Sequence, residues 1–283
     1  MKMIVMPPRH PVSDSFSLAG FRDVDAAADP SSYFAFLDAF ADAFHGLIED
    51  SVDLLRLRPG HAVLDVGCGH GACVPLLARR VSASGRMVGL DASQAMVTEA
   101  RRRFDGSGLA VAFHHGSALA LPFEAAAFDA ARADRVLLFV VDPRQALSEM
   151  VRVTKPGGRI AITEGDLGTQ AVDSPDVRTS REVLAAVSER APNGWIGRRL
   201  RALCVAAGLR DVELQLVPVL STSYTEWKLR FGIERVVPDL VAQGRVARDA
   251  AQAWLDELRA RDAAGQFTAT GLMYVVSGTR GAA

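Results

Sequence analysis

Apolar positions change their spacing several times along this chain. Phe36, Phe40, Phe44 and Leu47 fall at i, i+4, i+8 and i+11, one face of a helix over about 31–56 that Pro59-Gly60 ends. Short apolar runs then alternate with amphipathic segments. Strands are predicted at about 62–66, 87–91, 110–115, 128–133 and 159–164. Helices are predicted at about 71–82, from an N-cap at Ser93 to about 104, and from Asp142-Pro143 to about 152. The turn Lys155-Pro156-Gly157-Gly158 feeds the fifth strand.

This alternation predicts an α/β protein with a doubly wound, mostly parallel sheet. Beyond it, helices are expected at about 177–190 and 196–207 and a strand at about 211–218. A helical stretch over about 224–262 is expected in two pieces broken at Gly244, and a last strand at about 268–278. The first 30 residues, with prolines at 7, 8, 11 and 30, read as a partly irregular arm.

Composition narrows the class. The chain has 283 residues, 49% of them hydrophobic, and a formal net charge of −1. That supports one large domain with additions and leaves no basic footprint for nucleic acid or an anionic membrane. Arg101-Arg102-Arg103 reads as a solvated face near a helix end. Cys68, Cys73 and Cys204 lack the spacing of a disulfide framework or a zinc site, so no metal is expected. No apolar stretch approaches the ~20 residues of a membrane span, and no signal peptide is visible. A cytoplasmic protein is expected.

The candidate chemistry lies in Val63-Leu64-Asp65-Val66-Gly67-Cys68-Gly69-His70-Gly71-Ala72, a strand that breaks into a glycine turn and opens a helix. Glycines there let the backbone approach a ligand closely. Asp65 puts an anion where a pyrophosphate would otherwise lie, which suits a cationic ligand better. Asp91 ends the next strand, where an acid ordinarily meets ribose hydroxyls. Asp65, Asp91, Asp134 and Glu164 all fall at or near strand carboxyl ends, so one site can gather them. A cationic nucleoside such as S-adenosylmethionine fits this pattern. Two other readings stand beside it: a ligand-free strand–helix turn, and a nicotinamide site, since residues 67–72 also satisfy GxGxxA.

The blocks VLDVGCGHGA (63–72), VGLDAS (88–93), GSALALPF (116–123), FDAARADRVL (128–137) and KPGGRIAITEGD (155–166) resemble, in order, the class I S-adenosylmethionine-dependent methyltransferases. The nearest branch resembles the type 11 methyltransferases, including the ubiquinone and menaquinone biosynthesis enzymes. The likeness extends to FRDVDAAADPSSYFAFLD (21–38), GWIGRRL (194–200) and AGLRDVEL (207–214).

The resemblance implies a Rossmann-like, seven-stranded doubly wound core over 57–223. A helical lid over 1–56 and a helical cap with the final strand over 224–283 would complete it. It implies that Asp65, Gly67, Cys68, Gly69 and Gly71 hold the methionine part of the cofactor and Asp91 the ribose. Ala92 and Met96 would flank adenine. Ser117-Ala118 stands where the family usually reads Asp-Ala beside the adenine amino group. Arg135 would lie by the methionine part or the acceptor, and Arg22 and Tyr33 in the lid. The catalytic group is open among Arg135, Glu164, Asp166 and His70; the acids equally suit strand caps. Trp195, Tyr224, Trp227 and Phe231 wall an acceptor pocket or belong to the core.

The expected partner is a small, hydrophobic or aromatic acceptor of specialised metabolism, methylated at carbon, nitrogen or oxygen, with a homodimer compatible. Ala133-Asp134-Arg135-Val136 lacks the Asn/Asp-Pro-Pro-aromatic run of base methyltransferases. The alternatives are a nicotinamide-dependent oxidoreductase and a non-catalytic cofactor-binding protein.

Overall fold

The computed structural model describes residues 3–6 and 18–282. Prolines 7, 8 and 11 of the expected arm lie outside them. A two-residue strand β1 (Ile4–Val5) and two 3-10 turns (Leu18–Arg22, Val24–Ala26) precede α1 (Ser31–Ala43) and α2 (His45–Asp53). The core runs β2 (Ala62–Val66), α3 (Val74–Val81), β3 (Arg86–Asp91), α4 (Gln94–Phe104), β4 (Val111–His115), β5 (Phe128–Asp134), α5 (Pro143–Val153) and β6 (Thr154–Val172). Then follow α6 (Val177–Glu189), α7 (Ile196–Ala206), β7 (Leu209–Ser221), α8 (Tyr224–Phe231), α9 (Ile233–Ala242), α10 (Arg248–Ala263) and β8 (Ala269–Arg280).

The strands form one sheet in the order β1-β7-β8-β6-β5-β2-β3-β4. β8 runs antiparallel to both β6 and β7; the other pairings are parallel. Seven strands are expected from the sequence and the sheet has eight, because Ile4–Val5 pairs with Val219–Leu220 at the edge. Chain order reverses between β2 and β5, so their carboxyl ends splay apart and leave a crevice. All five residues of β2 are buried, which explains why Asp65 is the only polar residue in its otherwise apolar run.

Three expected boundaries change. The helix expected over 31–56 is two helices, with Phe44 (φ −104°, ψ 14°) as the joint. Its apolar face continues across that joint, so periodicity alone reads one helix. The stretch over 224–262 is three helices, not two: Gly232 adopts φ +63°, ending α8 and opening α9. β6 extends eight residues past Glu164, since β8 supplies an antiparallel partner as far as Val172.

The two sheet faces pack separate apolar clusters. α6 and α8–α10 enclose another around Trp227 and Trp254. α1 lays Phe36 and Phe40, and the joint adds Phe44, in one cluster with Met96, Met273 and Val275. No helix among the described residues is long and apolar enough to cross a membrane.

Candidate functional site

A cavity of about 440 Å³ opens at the strand carboxyl ends, roofed by α1 and the 3-10 turns and closed on its far side by α8 and β8. The glycine turn forms one wall. Gly67 has φ +69°, and a Cβ there would meet Val136 Cγ2 at 2.2 Å, so conformation and space both demand glycine. The Gly67 and Cys68 amides donate to Leu90 O (2.7 and 3.1 Å), which ties the turn to β3. Asp91 binds across it: Oδ2 accepts from Gly69 N (2.8 Å) and Oδ1 from Ser93 N (2.9 Å). Burial pushes its pKa up, against these bonds.

The roof is fastened by a residue that no motif marks. Asp25 accepts from the Ser93 hydroxyl (2.7 Å) and from Gln94 N and Ala95 N (2.8 and 2.9 Å). A carboxylate on the first amides of α4 satisfies orphan donors and the positive end of the helix dipole.

Asp65 does not stand alone. Its Oδ1 accepts from Arg132 Nη1 (3.0 Å), Arg132 Nη2 reaches Asp134 Oδ2 (3.1 Å), and Asp134 Oδ1 accepts from Arg135 Nε (2.9 Å). A chain of alternating charges therefore runs along the floor of the cavity. The protein itself partners the Asp65 carboxylate, so burying it does not by itself call for a ligand. Oδ2 of Asp65 has no hydrogen-bond partner among the described residues. Burial raises the pKa of Asp65, with Arg132 opposing. Arg135 takes φ +58°, uncommon for a residue with a Cβ, and its guanidinium lies 3.5 Å above the Phe40 ring.

Of the candidate residues, Asp65, Gly67, Cys68, Gly69, His70, Asp91, Ala92, Met96, Ser117, Ala118, Arg135, Arg22, Asp166, Trp227 and Phe231 line this one cavity. Gly71, Tyr33, Glu164, Trp195 and Tyr224 lie outside its lining. The Tyr33 ring packs on Phe21 with centroids 5.0 Å apart. Tyr224 stacks edge-on with Phe267 inside the cap. Trp195 lies against Gly168.

Glu164 is fully buried: Oε1 accepts from Val136 N (2.8 Å) and Leu137 N (2.5 Å), while Oε2 is unpartnered among the described residues. Burial pushes its pKa up to about 8. Asp166 has both oxygens taken, by Arg198 Nη2, Nε and N and by Gly168 N (2.8–3.1 Å). His70 sets Nε2 3.0 Å from Asp38 Oδ1 and 3.1 Å from Phe34 O, joining α1 to the glycine turn. Burial, then the Arg103 charge, lowers its pKa, which favours the neutral ring. Ser117 Oγ accepts from Leu119 N (3.1 Å), a local turn bond.

The far wall is apolar and flat. Trp227 donates from Nε1 to Gln170 Oε1 (3.3 Å), and its ring meets Phe231 edge-on at 6.1 Å. Phe21, Phe139, Leu167 and Met273 continue the surface, with Arg230 among them. Arg132, Arg230, Gln170 and Asp25 escape sequence reasoning, because each owes its position to partners distant in the chain.

Residues 64–162 match the family model described as a methyltransferase domain. The chain is 39% identical over 252 residues to an uncharacterized 37.1 kDa protein in transposon TN4556 of Streptomyces fradiae, covering 89% of this chain and 71% of that protein. It is 44% identical over 114 residues to the 2-phytyl-1,4-naphtoquinone methyltransferase of Thermosynechococcus vestitus, covering 40% of this chain and 50% of that one. The chain spans about half the length of the named methyltransferases it matches. The YcgJ protein of Bacillus subtilis shares the fold, with TM-score 0.59 at 21% identity over 84% of this chain and 100% of that one.

Proposed function

Because the chain belongs to the class I S-adenosylmethionine-dependent methyltransferases of the type 11 family, we propose that it methylates a small, flat, largely apolar acceptor at carbon, nitrogen or oxygen. When bound, S-adenosylmethionine supplies a methyl group already activated for direct displacement. The cavity residues fit that cofactor. Asp91 spends one acceptor site per oxygen on the backbone and keeps capacity for a diol. Asp65 Oδ2 is open to an ammonium, and Arg22 at the rim to a carboxylate. Asp91 bridging the glycine turn is the observation that carries the reading. Met96, Ala92, Ser117 and Ala118 then suit the adenine end, as the resemblance implies.

What this chain contributes to the reaction is placement and dryness. The roof of α1 and Asp25 closes over the cavity, and aligning two reactants can supply on the order of 7–11 kcal/mol. Glu164 and Asp166 act as structural anchors in this reading, since their oxygens serve backbone amides and Arg198. No lining residue is then an obvious strong base, which favours an acceptor that needs none until after attack. The aromatic far wall favours an aromatic or polycyclic acceptor. The naphthoquinone relative supports that class, and a specialised-metabolite acceptor is the version we favour. As working units we propose the lid over 1–56, the core over 57–223 and the cap with the final strand over 224–283.

Thermal-shift titration tests the assignment: S-adenosylhomocysteine should stabilise the protein and NADPH should not. Stabilisation by NADPH alone would restore the nicotinamide alternative. Cofactor binding without methyl transfer to any phenol, amine, indole or quinol would favour the non-catalytic one.

A further inference from the structure

Four arginines line the cavity, and three are accounted for. Arg132 and Arg135 are paired with carboxylates, and Arg22 is exposed to bulk water. Arg230 is different. It sits on α8 between Trp227 and Phe231, partly withdrawn from solvent, and has no hydrogen bond or ion pair with any described residue. The charge of Glu226, one turn earlier, favours the charged guanidinium, and Arg135 opposes it. Burial lowers its pKa to about 10, so the guanidinium remains charged at neutral pH.

An unpaired guanidinium in an apolar wall is costly unless something anionic meets it. Its planar fork matches a carboxylate in two parallel bonds, and one uncompensated charge matches a monoanion. Trp227 and Phe231 beside it offer surface to a flat ring. We propose that the acceptor is an aromatic or polycyclic carboxylic acid, with Arg230 holding its carboxylate while the ring lies on Trp227 and Phe231. This rests on the methyltransferase reading, since it assigns the glycine-turn end to the cofactor and the α8 end to the acceptor. Arg230 is here a specificity-determining residue; it takes no part in the displacement.

Calorimetric titration with 2-naphthoate and its neutral isostere 2-naphthamide, at saturating S-adenosylhomocysteine, tests this. The wild-type protein should bind the acid about tenfold or more tightly than the amide. R230Q should lose that preference and R230K keep part of it, while both variants retain wild-type affinity for S-adenosylhomocysteine, which also reports that they fold. Equal affinity for the two probes, binding of neither, or an undiminished preference in R230Q overturns the proposal. So does a tenfold loss of S-adenosylhomocysteine affinity in R230Q, which would give Arg230 to the cofactor's own carboxylate. Failure of the wild-type protein to bind S-adenosylhomocysteine sinks the underlying reading instead.

Discussion

Replacing Glu164 by Gln probes how the turn carrying Arg135 is held. Glu164 is the buried post of that turn: Oε1 takes the amides of Val136 and Leu137, directly after Arg135. Burial raises its pKa from 4.5 to about 8. Between those values the unfolded chain releases a proton that the folded one keeps, so stability falls as pH rises. The contribution is fully present below 4.5 and gone above about 8. Each pH unit inside the window removes ~1.4 kcal/mol, and the whole window amounts to roughly 5 kcal/mol.

Glu164→Gln mimics the neutral acid. Its carbonyl can accept the same two amides, but its NH₂ would sit where Oε2 is unpartnered, costing about 1–3 kcal/mol at every pH. The variant should therefore be less stable than wild type at pH 5, with the gap closing or reversing by pH 8.5. Urea denaturation at three pH values and constant ionic strength reads this directly. A wild-type-minus-variant difference that stays constant across pH would refute the reasoning.

Asp91→Ala should weaken S-adenosylhomocysteine binding by roughly 1.5–3 kcal/mol, the worth of hydrogen bonds to a charged group; an unchanged Kd by calorimetry would remove Asp91 from the ribose role. Gly67→Ala forces a Cβ at φ +69° and into Val136 at 2.2 Å. It should cost at least about 1–2 kcal/mol of stability, and adding Val136→Ala should recover the steric share but not the conformational one. Arg132→Met strands the Asp65 carboxylate in the interior and should cost about 3–5 kcal/mol. The double variant with Asp65→Asn should recover much of it, and a single variant as stable as wild type in urea would show that the floor charges are not coupled.

Much of the frame is readable along the chain. The alternation of buried strands and amphipathic helices, the N-cap at Ser93 and the glycine turn all leave a local signature in residue type and spacing, so the chain reveals them although partners such as Leu90 and Val136 lie far from the turn. Ser93 Oγ indeed accepts from Met96 N (3.2 Å). The joint at Phe44 escapes notice because the same apolar face serves both helices. Gly232 ends α8 because a glycine takes the left-handed conformation without strain, a stop that the helical spacing on either side of it conceals.

The sequence by itself determined that Asp65, Asp91 and the glycines would stand at or next to the carboxyl ends of two successive strands, because each directly closes or follows its apolar run along the chain. Only the tertiary structure decided what those groups do to one another. Arg132 reaches Asp65 across 67 residues, and Asp25 crosses 68 to meet Ser93. Arg230, by contrast, comes to the cavity with no partner at all among the described residues. Charge interactions depend on distance in space and on exclusion of water, and a linear pattern encodes neither.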